Sequence, residues 1–191
     1  MPAYYTGNRW LTSAEMHTNA EYIFNNFVTY FPDVPYTLNA LSGMLGNFQT
    51  ESQINPGVWE NFVTTNPNLG YGLVQWTPST NYTDWCDQLG IPWDHMESAL
   101  RRIRFEYDTH IQYYQTADYP ISFYEFLTST QTPEYLAIAW QRNYERGQDA
   151  FPVQRQQRAR YWFEYFGGWT PTPTPSGRTK MPVWMMLRKP F

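Results

Sequence analysis

The chain of 191 residues has the length of one domain with a substantial core. Its formal charge is −4, but four of its thirteen basic residues (Arg178, Lys180, Arg188, Lys189) follow residue 176, which leaves nine bases against seventeen acids before it and argues against nucleic acid as a partner, since phosphate binding needs clustered Lys and Arg. A single cysteine, Cys86, excludes an intrachain disulfide; scattered His17, His95 and His110 form no zinc pattern; and neither a run of about 18 apolar residues nor a basic-then-apolar N-terminus predicts a membrane span or signal peptide.

Helix signals begin at Thr12, whose spacing to Glu15 makes a capping box ahead of Met16, Ala20, Ile23, Phe24, Phe27 and Val28, a core-facing pattern running to Phe31. A second helix is expected from about Thr37 to Ser52, with Leu38, Leu41, Leu45 and Phe48 on one stripe. Between Pro56 and Pro78 the turn residues multiply around the β-prone run YGLVQW, so this stretch reads as irregular loop plus a short hairpin. Helices then resume over Thr80 to Leu89, stopped by Gly90 and Pro92, and from a box-like start at Asp94 and Glu97, with Met96, Leu100, Ile103 and Tyr107 facing the core. Ser122 to Ser129 predicts a short helix, Thr132-Pro133 caps another through Tyr144, and Pro152 opens a last one that Gly167-Gly168 ends. Residues 169 to 180 are Thr/Pro-rich and read as an extended linker; 181 to 191, MPVWMMLRKPF, read as a short apolar and basic tip, too short to span a bilayer.

One residue stands out against this pattern. In LSGMLGNFQTESQINPG an apolar helix runs into Glu51 and breaks at Asn55-Pro56-Gly57. At 100° per residue, Glu51 falls at the edge of the apolar stripe near Met44. Partial shielding and the negative end of the helix dipole both disfavour a charged carboxylate there, which suits a general acid. Spacing alone is equally compatible with a solvated glutamate in a last turn. The nine Trp, sixteen Tyr and twelve Phe exceed what a core of this size needs, and aromatic grooves suit sugars.

LSGMLGNFQTESQINPGVWEN followed by LGYGLVQWTP, and then TPEYLAIAW, NYERG and RARYWFEYF, resembles the phage tail lysozyme family, the lysozyme domain of tail-knob peptidoglycan hydrolases of short-tailed phages infecting Gram-positive bacteria; the likeness covers roughly residues 11 to 168. The resemblance implies an α+β, predominantly helical, lysozyme-like domain over residues 1 to 168, with one short β-hairpin beside the cleft. It implies cleavage of the β-1,4 bond between N-acetylmuramic acid and N-acetylglucosamine, with no cofactor and no metal. The family's catalytic glutamate falls on Glu51. Tyr71, Gly72, Leu73 and Gln75 are then candidates to bind sugar acetamides or orient a water, Trp76 to stack on a ring, and Tyr144 to line the cleft; Trp76 and Leu73 read equally well as core. Glu60 and Glu145 are candidates for a second carboxylate, which retaining and inverting glycosidases place at different separations; Glu145 beside Arg146 also reads as an ion-paired structural acid. The resemblance departs at Gly147, which follows YER where relatives usually have proline.

Expected partners are bacterial peptidoglycan and, through 169 to 191, other phage tail proteins, in a virion acting on the host wall. Rival readings are a lytic transglycosylase using one glutamate, an endolysin released from the cell, a glycan-binding virion protein without activity, and a peptidase built on Cys86 with His95 or His110. The last is disfavoured because Asp84 and Asp87 flank Cys86 and raise the thiol pKa where a nucleophile needs it lowered.

Overall fold

A computed structural model describes residues 3–146 and 152–167. The expected linker and tip at 169–191, and Gly147, lie outside the described residues. The described chain is mainly helical: α1 (Ser13–Tyr30), α2 (Leu38–Ser52), α3 (Thr80–Leu89), α4 (Met96–Thr109), α5 (Phe123–Thr128), α6 (Pro133–Trp140) and α7 (Pro152–Gly167), with a 3-10 turn at Glu60–Phe62 and a π-turn at Gln141–Glu145 continuing α6.

Local chemistry explains most of the helix starts. Thr12 and Glu15 close the reciprocal capping box of α1, Ser122 and Glu125 do the same for α5, and the Thr37 and Thr132 side chains accept from the backbone N–H three residues on. The expected box at α4 does not form: His95 is the N-cap without a side-chain bond, and Glu97 accepts instead from the hydroxyls of Tyr4 (2.6 Å) and Tyr22 (2.8 Å), tying the N-terminal arm and α1 to α4. Val28, placed on the apolar face of α1 by its spacing, is 53 % exposed.

The expected amphipathic second helix is the central rod of the fold. Every residue of α2 from Ala40 to Phe48 is buried, Ser42 and Asn47 included. A helix buried all round must be approached closely on its non-apolar face too, and two glycines permit it. Gly43 meets the backbone of α6 at Leu136 and Ala137, and Gly46 meets the backbone of α7, where an added Cβ would sit 2.7 Å from Ala159 N and 2.8 Å from Arg155 O.

Around this rod the rings pack chiefly on one another. Phe27 stacks on Phe31, Trp76 on Tyr82 (centroids 4.3 Å apart) and Trp140 on Tyr144 (4.1 Å). Many of the aromatic rings therefore belong to the core. In place of a hairpin ladder, the described residues show two isolated antiparallel bridges, Trp59 with Tyr71 and Tyr71 with Trp76. The turn between Tyr71 and Trp76 closes through reciprocal bonds, Tyr71 N to Trp76 O (3.2 Å) and Trp76 N to Tyr71 O (3.0 Å).

Candidate active site

Glu51 lies in the last turn of α2, and the chain leaves that helix abruptly. Gln53 and Ile54 both adopt left-handed backbone (φ 55° and 59°), a conformation uncommon for any non-glycine residue and a true outlier for β-branched Ile54. Such strain costs on the order of 1–3 kcal/mol per residue and persists only where the surroundings fix it. Here they do. Ile54 N–H donates to Phe48 O, Asn19 Nδ2 donates to Ile54 O (2.7 Å), Ser52 Oγ donates to Leu73 O (2.8 Å), and the Asn55 amide spans Gly7 O and Arg9 O. This exit turns the chain away from the helix end and leaves the Glu51 side chain 23 % exposed, just past the buried stretch Ala40–Phe48.

Its partner comes from α7. Arg155 Nη2 donates to Glu51 Oε1 at 2.5 Å, while Nη1 donates to Glu145 Oε2 at 2.7 Å and to Asn47 Oδ1 at 2.6 Å. One guanidinium thus bridges two carboxylates, in the forked geometry that arginine provides and lysine does not. Asn47, one turn before Glu51, is itself anchored by donating to Gly43 O (2.8 Å) and Ala137 O (2.9 Å), so α2 and α6 together hold Arg155 in place.

Glu145 ends the π-turn, which is pinned on both sides. The Asn143 side chain bonds Tyr113, Thr116 and Tyr119, and Gln112 Nε2 donates to Tyr144 O (2.9 Å). The Glu145 side chain is 9 % exposed. Burial first, and then the neighbouring Glu51 carboxylate, push its pKa well above the usual carboxylate range; Arg155 and the Trp140 indole pull the other way. Its Oε1 is buried without a partner in bonding geometry. The arginine on Glu145 is Arg155, not adjacent Arg146, which donates to Gln112 Oε1 (3.1 Å) and lies over the Tyr114 ring.

The remaining candidates fall elsewhere. Glu60 is exposed on its 3-10 turn and accepts from Gly70 N–H at 2.8 Å, a loop tie with no contact to Glu51. In the 71–76 turn the N–H groups of Tyr71, Gly72 and Gln75 are bonded within the protein, Leu73 O is taken by Ser52, and the Gln75 amide donates to Val58 O and Gly72 O. These groups hold the loop in shape, and none of those bonds is left to a sugar. Trp76 and Tyr144 are 4 % and 1 % exposed. Both donate to Glu106, Trp76 through Nε1 at 2.9 Å and Tyr144 through its hydroxyl, and Arg102 Nε donates to the same carboxylate at 2.7 Å. Neither ring is open to stack on a ligand. Cys86 is fully buried, and burial raises its thiol to about 11, the opposite of what a nucleophile requires.

Arg155, Asn47 and Glu106 escaped the sequence reading. Arg155 lies 104 residues from Glu51 in a run rich in Gln and Arg, and nothing in its spacing marks it from its neighbours.

A mainly helical body, with a carboxylate at the strained end of its central helix and an arginine and a buried second acid against it, defines a lysozyme-like protein. The chain belongs to the phage tail lysozyme family: the family model described as phage tail lysozyme matches residues 18–166. It is also 42 % identical over 165 residues to morphogenesis protein 1 of Bacillus phage B103, an alignment covering 86 % of this chain and 44 % of that protein. The chain therefore spans less than half the length of that relative.

Proposed function

We propose that the protein is a peptidoglycan muramidase. It hydrolyses the β-1,4 bond between N-acetylmuramic acid and N-acetylglucosamine, with Glu51 protonating the glycosidic oxygen, and it acts from a phage tail on the host wall during DNA entry. The observation that carries this reading is the placement of Glu51, a partly exposed carboxylate at the end of a buried helix, fixed by a strained exit and a bound arginine. General acids need such a fixed position before a tuned pKa. Family membership supports the lysozyme-type chemistry, and the B103 relative's name supports a place in the virion.

A lytic transglycosylase is the second reading. The two other candidate carboxylates favour it, because Glu145 is buried against Arg155 and Glu60 is tied to Gly70, so neither stands open beside Glu51 as an independent nucleophile or base.

The test is digestion of purified Gram-positive sacculi by wild type and Glu51→Gln, with the muropeptides analysed by mass. New reducing muramic ends support hydrolysis, anhydro ends support the transglycosylase, and new free amines would mean a peptidase. Equal activity of the two proteins removes Glu51 from its role; wall binding without release would make the protein a glycan-binding module. Immunodetection in purified particles separates a tail enzyme from a released endolysin.

A further inference from the structure

Two acids and one arginine meet at the end of α2, and their charges do not balance. Arg155 supplies a single positive charge from beneath a surface that leaves its side chain 9 % exposed, and it touches both Glu51 and Glu145. With both carboxylates ionised on one buried guanidinium, the excess negative charge would fall on Glu145, the more shielded of the two, and like charges this close disfavour ionising together. Of the other charged groups described nearby, Arg158 on α7 donates to the neutral Thr50 Oγ1 (2.9 Å) and adds a positive charge beside Arg155 rather than a bond to Glu145; Arg146 is turned to Gln112 and Tyr114; and Arg102 and Glu106, behind Tyr144, pair with each other. The remaining oxygen of Glu145, Oε1, is buried with no partner in bonding geometry, and the Glu51 carboxylate, held on the same guanidinium, acts on Glu145 to favour its protonated form.

We propose that Glu51 and Glu145 work as a pair that holds one proton between them, stored on Glu145 between turnovers and moved to Glu51 for the acid step, with Arg155 neutralising whichever carboxylate is left ionised. This inference rests on the assignment of Glu51 as the acid. The steps balance. The proton on Glu145 passes to the Glu51 carboxylate; Glu51 gives it to the glycosidic oxygen as the bond from that oxygen to the anomeric carbon breaks. Water adds its hydroxyl to that carbon, and the proton it loses returns to the pair. Glu145 acts through Glu51 and never touches the sugar. The buried side of the site, which looked like structure alone, becomes the supply of the proton.

Two measurements test it. The first needs no turnover: the side-chain carboxyl carbons of glutamate, labelled with carbon-13, are titrated by NMR. Two glutamates are buried with raised proton affinity, Glu106 and Glu145, so Glu106→Gln and Glu145→Gln assign the signals. Wild type is expected to show the Glu145 carboxyl protonated at pH 7. An ionised Glu145 at pH 7 overturns the proposal, whatever the activity. The second is the pH profile of wall hydrolysis. Losing Glu145 removes the stored proton and the second acid on Arg155, so in Glu145→Gln the alkaline limb of kcat/KM is expected to move down by at least one pH unit, with the rate at pH 7 falling about tenfold and recovering as the pH is lowered. An unmoved limb, with kcat reduced evenly at every pH, means a merely structural acid and overturns the proposal. If Glu145→Gln does not fold, the wild-type titration, assigned through Glu106→Gln, still decides. The two claims also fail separately: full activity in Glu51→Gln removes the muramidase assignment, while an inactive Glu51→Gln with an ionised Glu145 removes only the shared proton.

Discussion

A close backbone approach of α7 to α2 lies behind the candidate acid, at Gly46, and it can be perturbed by one methyl group. In Gly46→Ala the new Cβ would fall 2.7 Å from Ala159 N, 2.8 Å from Arg155 O and 3.0 Å from Ala159 Cα, all backbone atoms of α7. No side chain can swing away to relieve this, so α7 must shift as a body. Overpacking of this kind costs roughly 1–3 kcal/mol, and three backbone contacts at or below 3.0 Å place the substitution at the upper end. Alanine returns about 1 kcal/mol as the better helix former, which leaves a net loss of about 2 kcal/mol and a melting temperature lower by roughly 4–8 °C for a chain of this size.

Activity is expected to fall further than stability, because the segment pushed away carries Arg155. A displaced α7 weakens the bridge to Glu51 and Glu145 even in molecules that remain folded. Circular-dichroism melts and wall-clearing rates measured well below the melting temperature separate the two effects. Gly43→Ala, meeting the Leu136 backbone at 3.0 Å, should cost less, about 1 kcal/mol, and should spare Arg155. Gly167→Ala has no neighbour within 4 Å and should stay within about 0.5 kcal/mol of wild type. A Gly46→Ala protein that melts with Gly167→Ala and clears walls at the wild-type rate would refute the account of how α2 and α7 build the site.

Trp76→Phe removes the indole N–H from Glu106, a bond to a charged group worth about 1.5–3 kcal/mol; Arg102 still donates to the same oxygen, so a loss near 1.5 kcal/mol is expected in urea unfolding. Glu60→Gln keeps the length of the tie to Gly70 N–H but removes the charge, and wall hydrolysis should stay within about twofold of wild type; a loss above a hundredfold would restore Glu60 as the second catalytic carboxylate. For Glu145 the sign follows from its raised folded-state pKa: the folded protein holds a proton that the unfolded chain releases at ordinary carboxylate pH. Its contribution is therefore fully present below the unfolded pKa and is lost as pH rises towards the folded value. Thermal melts of Glu145→Gln should accordingly gain on wild type as pH rises from 4 to 8, and a variant that loses ground to wild type, or only keeps pace with it, over that range would contradict the raised value.

Elements fixed by short-range chemistry were legible in the sequence. The capping box of Thr12 and Glu15, the Thr132-Pro133 start and the break after Ser52 each depend on residues within one turn, and each appears in the structure. Glu51 was singled out because an acid at the end of an apolar helix conflicts with its surroundings over only a few residues. Features that depend on what packs from far along the chain were not legible. The face of α2 opposite the leucine stripe, with Ser42, Gly43, Gly46 and Asn47, has the composition of a polar surface, yet it is buried because small residues admit α6 and α7. Trp76 and Tyr144 stood as candidates to contact sugar through the family resemblance, and it is the distant carboxylate of Glu106 that draws both inward. The same principle bears on the site. A glutamate chosen from local sequence meets its arginine and a second acid only through residues about a hundred positions away: Arg155 arrives because Gly46 lets α7 come close, and Glu145 ends the turn that continues α6, which Gly43 admits. What surrounds the candidate acid is therefore written less at Glu51 than in the residues that set how near α6 and α7 can approach.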